Sequence, residues 1–164
     1  MDISYSGKTN FKIKTKTGVV TTYGPCVTIA HKGGVGEDFR ITAPGEYEVE
    51  GISVFGYAGE DHPVYVIQAE DLRILYLSEI AKPLSEKLIT ELENIDVVAV
   101  PVDTLGAKES GEVVAKLEPY YVLPYGDTVA KFVTSYEHGS RTVKSLSLSK
   151  LTLPEDVTEV IVFE

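Results

Sequence analysis

The sequence predicts a domain of mixed α and β layers, and three observations carry that prediction. Roughly the first eighty residues form short alternating or apolar stretches cut by turn residues. The rest alternates strand-like with helix-like stretches, and residues 96–102 hold a nearly continuous apolar run of the kind found in buried parallel strands. A block of strands followed by strand–helix alternation is the pattern of packed sheets and helices. The chain of 164 residues is long enough for one domain with a sizeable core, so residues 1–164 are expected to form a single unit.

The elements follow in order. Phe11 and Ile13 alternate with Lys12, Lys14 and Lys16, giving a strand with one apolar and one basic face. Thr17 and Gly18 turn the chain, and residues 19–23 return as a second strand. Gly24 and Pro25 punctuate, and residues 26–30 form the next strand, which delivers His31 to a glycine-rich turn, Gly33-Gly34-Val35-Gly36. Residues 39–42, the turn Ala43-Pro44-Gly45, and residues 46–50 follow. Glu46, Glu48 and Glu50 share one face, either as a solvated sheet face or paired with the Lys12, Lys14 and Lys16 face of a neighbouring strand. Residues 52–57, 64–69 and 72–77 are further strands, the last two joined tightly around Glu70 and Asp71.

Leu84, Leu88, Ile89 and Leu92 then show the spacing of an amphipathic helix entered after Pro83. A second helix is predicted over about 108–118, weakened at Gly111 by roughly 1 kcal/mol relative to alanine. Residues 120–124 read as a strand. Asp127 suits the N-cap of a third helix with Val129, Phe132, Val133 and Tyr136 as its apolar stripe, and Gly139 suits its end. His138 near that end favours the helix macrodipole. Residues 157–163 read as a final strand.

Composition excludes several classes. Apolar residues are 43% and charged residues 24%, which is incompatible with wholesale disorder. No apolar run approaches the roughly 18 residues of a membrane span, and the N-terminus lacks the pattern of a signal peptide. With one cysteine, Cys26, the cytoplasm is the expected location. A net charge of -10 disfavours nucleic acid and anionic membranes as partners, apart from any local basic patch. Cys26 opens an apolar strand with no evident activating base and reads as a buried, inert thiol. The glycine-rich turn does not match a phosphate-binding motif and reads as a short loop with easy positive φ. Tyr120, Tyr121, Tyr125 and Tyr136 read as core.

Several segments, in order, resemble the small, compact branch of the metallo-β-lactamase superfamily. Residues 7–11 stand where that family carries Gly-His-Ser-x-Phe, and Tyr23-Gly24-Pro25 stand where it carries an Asp-Pro turn. Pro44-Gly45-Glu46-Tyr47-Glu48-Val49 resembles its turn and strand, and residues 72–79 resemble its strand ending in Gly-Asp. Residues 122–127 resemble its strand ending in Pro-x-His, and residues 153–160 resemble a closing segment. The resemblance implies an αββα sandwich, two mixed β-sheets face to face with helices outside, and a site at the strand ends between the sheets.

The same resemblance implies a metal site built on His-x-His-x-Asp-His. Here His31 fills the first position, whereas Gly33, Val35 and Gly36 fill the next three. The histidine expected after the strand around Val54 falls near Ala58 and Gly59, with His62 three residues on. The bridging aspartate matches Glu79, and the last histidine matches Gly126. Zinc needs three or more convergent donors, and glycine supplies none from its side chain. The expectation is therefore a vestigial site at His31, Gly33, Glu79, Gly126 and Asp127 with no catalytic residue, no metal and no cofactor. The function expected is a non-catalytic binding or scaffold module, with a homo-oligomer among its partners. The alternative is a metal-dependent hydrolase holding zinc through His31, Glu79 and His62. A third reading is small-ligand binding in the emptied cleft.

Overall fold

The structure, a computed structural model, describes residues 1–34, 36–137 and 139–164. Val35, the aspartate position of the glycine-rich turn, and His138, the expected helix-end histidine, lie outside the described residues. The first sheet is built from β1 (Asp2–Tyr5), β2 (Phe11–Lys14), β3 (Gly18–Tyr23), β4 (Cys26–His31) and β5 (Phe39–Ile41). The second sheet begins with β6 (Gly45–Val49), β7 (Ile52–Ala58), β8 (Pro63–Ala69) and β9 (Leu72–Tyr76). After α1 (Glu86–Glu91) it continues with β10 (Val97–Pro101). Then follow α2 (Val102–Leu105), α3 (Ala107–Leu117), β11 (Tyr121–Tyr125), α4 (Val129–Ser135) and β12 (Ser140–Val143). β13 (Leu146–Ser147) returns to the first sheet and β14 (Glu159–Phe163) to the second.

Among the described residues the first sheet has the order β13-β1-β2-β3-β4-β5 and is antiparallel throughout. The second has the order β12-β14-β11-β10-β9-β8-β7-β6. Its β6 to β9 half is antiparallel, because those strands are joined by short turns. The β8–β9 turn puts Glu70 and Asp71 at φ 53° and 63°, the two positive values that a tight two-residue hairpin requires. From β9 to β12 the pairing is parallel, because helices or long segments carry the chain back between strands.

Two apolar layers hold this together. Between the sheets, Ile3, Ile13, Val20 and Ile29 meet Val54, Ile67, Ile74 and Leu123. Each such side chain is worth roughly 1.5–3 kcal/mol when fully buried. On the far side of the larger sheet, Val66, Leu75, Val98 and Val122 meet Leu88, Val113, Val114 and Phe132 from the helices. The continuous apolar run in β10 follows from this, since it is buried on both faces. α1 starts where Ser85 Oγ accepts the Leu88 amide at 3.1 Å.

The two facing sheets with flanking helices are those the sequence predicts, with one difference in layering. Among the described residues, the helical core cluster lies wholly on the larger sheet. The outer face of the six-stranded sheet carries no helix among the described residues. It presents Lys12, Lys14, Thr21, Thr28 and Arg40, which offer a helix little apolar surface, and its hairpins are too short to contain one. The lysine strand and the glutamate strand also fall in different sheets, so Glu46 and Glu48 pair across from Phe55 and Ser53 instead. Phe132 anchors α4 at 1% exposure and stacks on Tyr136 at 5.1 Å. Phe132→Ala is expected to cost about 3–5 kcal/mol, read from urea denaturation followed by helical circular dichroism.

Candidate functional site

The decisive local feature is the connection from β3 to β4. Tyr23 pairs with Cys26, so Gly24 and Pro25 form a two-residue link and β4 must run antiparallel to β3. His31 accordingly pairs with Gly18, at the opposite end of the hairpin. At about 3.3 Å per residue, five steps of β4 place His31 roughly 17 Å from the Gly24–Pro25 turn. Glu79, by contrast, lies beside that turn, with Oε2 3.5 Å from where a Cβ on Gly24 would sit.

The two ends of the sandwich therefore hold different groups. His31 Nδ1 is 2.6 Å from Glu50 Oε1 at one end. Gly33 and Gly34, at φ 103° and 68°, turn the chain just beyond it, with open space around both. The other end gathers Gly24, Glu79, Asp103, Gly126 and Asp127. The β7–β8 loop with Asp61 and His62 closes on it: Asp61 Oδ2 accepts the Ala81 amide at 2.8 Å, and Ser78 Oγ donates to the Pro63 carbonyl at 3.0 Å. His31 and Gly33 thus stand apart from Glu79, Gly126 and Asp127, which corrects the expectation that all five belong to one site. The hydrolase set His31, Glu79 and His62 is divided in the same way.

Asp103 had no role in the sequence reading, and it governs this end. It sits on α2, just after the apolar strand β10, and reaches across to the start of α4. Its Oδ2 accepts the Asp127 amide at 2.6 Å, and its Oδ1 accepts the Thr128 amide at 2.7 Å and the Thr128 hydroxyl. The N-cap of α4 is Thr128, which makes no side-chain capping bond, so the amides there are met by Asp103 and not by Asp127. Burial pushes the Asp103 carboxyl up, but the Thr128 hydroxyl and the two amides outweigh it and hold the group below the usual carboxylate range. Gly126 has φ 121°, and a Cβ there would fall 2.5 Å from the Asp103 Cγ and Oδ2. A side chain at position 126 and the Asp103 carboxylate need the same volume.

Tyrosines fill the space beneath. Tyr76 donates its hydroxyl to the Gly24 carbonyl at 2.6 Å, Tyr65 to the Pro25 carbonyl at 2.6 Å, and Tyr125 to the Ser78 carbonyl. Thr9 Oγ1 accepts the Gly24 amide at 2.7 Å. The Tyr76 and Tyr125 rings lie 6.1 Å apart, and Phe11 meets Tyr125 edge-on at 5.3 Å. Burial raises all three phenols, with Tyr65 pushed up to about 12, so they remain neutral donors. Of the four tyrosines expected in the core, Tyr121 and Tyr125 are buried, whereas Tyr120 is 37% exposed. Cys26 is partly exposed, not buried, and accepts from Arg40 Nη2 at 3.5 Å.

These residues do not fit a zinc ion of the family's kind. Zinc is held by three or more N, O or S donors at about 2.0–2.3 Å. Here position 126 has no donor, Asp103 is engaged by three hydrogen bonds, and the phenols are turned onto carbonyls. Among the described residues, no three His, Cys, Asp or Glu side chains form a metal-holding group.

Two outcomes follow from the Asp103–Gly126 geometry. Gly126→Ala is expected to cost roughly 1–3 kcal/mol from its φ alone, with the steric contact adding to it. Asp103→Ala in that background relieves the steric contact but also removes three hydrogen bonds, so the coupling energy of the double-mutant cycle, read from urea denaturation, isolates the steric part. The folded pKa of Asp103 lies below its unfolded value, so its stabilisation is complete above the unfolded pKa of about 4 and is lost as pH falls through the folded value. Asp103→Asn should therefore flatten the acid limb of the stability–pH profile below about pH 5, measured by thermal unfolding.

The comparisons with known proteins agree with this architecture. The structure matches a candidate Zn-dependent hydrolase of the metallo-β-lactamase superfamily from Thermotoga maritima with TM-score 0.81 and 23% identity, covering 100% of both chains. It also matches a candidate metal-dependent hydrolase from Parabacteroides distasonis with TM-score 0.51 and 11% identity, over 93% of this chain and 97% of that one. No curated protein matches the chain. Residues 35–126, more than half of the sequence, match the model of the β-lactamase superfamily domain. The chain belongs to the β-lactamase superfamily.

Proposed function

We propose that this protein is a non-catalytic binding or scaffold module on a metallo-β-lactamase fold. One observation carries the reading: the Asp103 carboxylate occupies the volume that a ligand side chain at position 126 would need. The hydrogen bonds that hold Asp103 support it, since freeing this carboxylate leaves the Asp127 and Thr128 amides without their acceptor. The phenols of Tyr76 and Tyr125 support it further, because their hydroxyls satisfy the carbonyls of Gly24 and Ser78.

The alternative, a metal-dependent hydrolase, draws on the names of the two similar structures. At the Glu79 end it has His62, whose Nδ1 is buried without a hydrogen bond and 3.5 Å from Asp61 Oδ2. It would have to work without His31. The two readings separate on metal content and activity. Protein purified without chelator is expected to contain no stoichiometric zinc or manganese, to show no rise in melting temperature when either is added, and to be inactive in phosphodiesterase and lactonase assays. Stoichiometric metal lost on Glu79→Ala or His62→Ala, together with hydrolysis, would overturn the non-catalytic reading.

A further inference from the structure

Charge is unevenly divided along this chain. Residues 1–42 contain six basic and three acidic residues, whereas the remaining residues contain nine basic and twenty-two acidic ones. The basic part forms five strands of the six-stranded sheet, whose outer face carries no helix among the described residues. One cross-strand row on that face reads Ser4-Lys12-Thr21-Thr28-Arg40, and the next reads Asp2-Lys14-Val19-Ala30, where Asp2 faces Lys14 and leaves Lys12 and Arg40 as the cations without an acidic cross-strand neighbour. Small and β-branched side chains thus make a flat seat flanked by Lys12, Lys14 and Arg40.

The segment after β13 carries the complement. A groove of about 1130 Å³ lies between the end of α3 and residues 150–158. Leu151 stands 96% exposed and Val157 58% exposed at this groove. Glu118, Glu155 and Asp156 line it. Lys150, also on its wall, is already paired with the buried Asp96 at 2.8 Å. The result is an apolar projection with a negative surround.

We propose that the Leu151–Val157 projection of one molecule docks on the Lys12–Lys14–Arg40 sheet face of a second copy. The two patches are different surfaces of the chain, so the contact is heterologous and joins copies head to tail. Face-to-face pairing of two basic sheets is disfavoured by like charge, and so is pairing of two acidic projections. The acidic remainder of the chain also disfavours a nucleic-acid occupant, because three cations release few counterions against a net charge of -10. This names the partner for the binding module proposed above. Detection of a hydrolase activity would overturn that module reading and leave the self-association test intact.

The test is sedimentation equilibrium of the full chain at concentrations up to about 1 mM, where even a contact with a Kd near 1 mM is substantially occupied. The wild type is expected to associate at 0.1 M salt and to dissociate markedly at 1 M, as the screening length falls from about 10 to 3 Å. Leu151→Asp and the double variant Lys12→Glu/Arg40→Glu should each be monomeric. Mixed together they should form a 1:1 heterodimer that grows no further, because one intact projection and one intact seat remain. Val157→Asp and Lys14→Glu serve as second variants at each patch, and circular dichroism verifies the folding of all four. A monomeric wild type overturns the proposal. So does association that survives either class of variant, or a mixture of the two that stays monomeric.

Discussion

The carboxylate of Asp103 and a side chain at position 126 compete for one volume, and much of the chemistry at this end of the sandwich follows from which one is present. With glycine at 126, Asp103 lies across the end of β11 and takes up the amides at the start of α4. That fastens the helical layer to the strand ends through a charge-assisted acceptor, which is among the stronger hydrogen-bonding arrangements available to a carboxylate. The phenols below complete the replacement. Tyr65, Tyr76 and Tyr125 bind backbone carbonyls of Pro25, Gly24 and Ser78, so polar backbone groups near the core have partners without an ion.

The β3–β4 hairpin has an equally large consequence. A two-residue link allows no return crossing, so the strand that resembles the carrier of a metal-binding loop runs toward the wrong end of the sheet. His31 then meets Glu50 from the turn before β7, and Lys32 donates to the Lys16 carbonyl. These contacts close the far end of the smaller sheet. They connect loops, and they share no side chain with the Glu79 and Asp103 cluster.

Charge segregation links the fold to the proposed assembly. The strands that carry Lys12, Lys14 and Arg40 bury one face against the larger sheet and leave the other in solvent. The acidic residues concentrate in the chain after residue 42, on strand β6, in the loops and on the helices. A fold with helices on only one of its sheets among the described residues has one flat strand surface left over. Lysines there maintain solubility while leaving the surface able to receive an acidic partner.

Much of the fold was legible in the sequence because it depends on local periodicity. Phe11 and Ile13 point inward between lysines, and the apolar run of β10 is buried on both faces, as patterning requires. Leu88, Val113, Val114 and Phe132 face the larger sheet at helical spacing. Residues 2–5 carry too short a pattern to stand out, and they become a strand only by pairing with β2 and β13. The reversal of β4 was present in the Gly24-Pro25 link, since so short a connection permits only a hairpin, although motif order alone does not reveal direction. What only the tertiary structure decided was the partnership of Asp103 with Gly126, Asp127 and Thr128 across more than twenty residues, and the separation of His31 from Glu79. Periodicity fixes which way a side chain faces, whereas convergence of side chains depends on strand direction and on the space left between elements that meet only after folding.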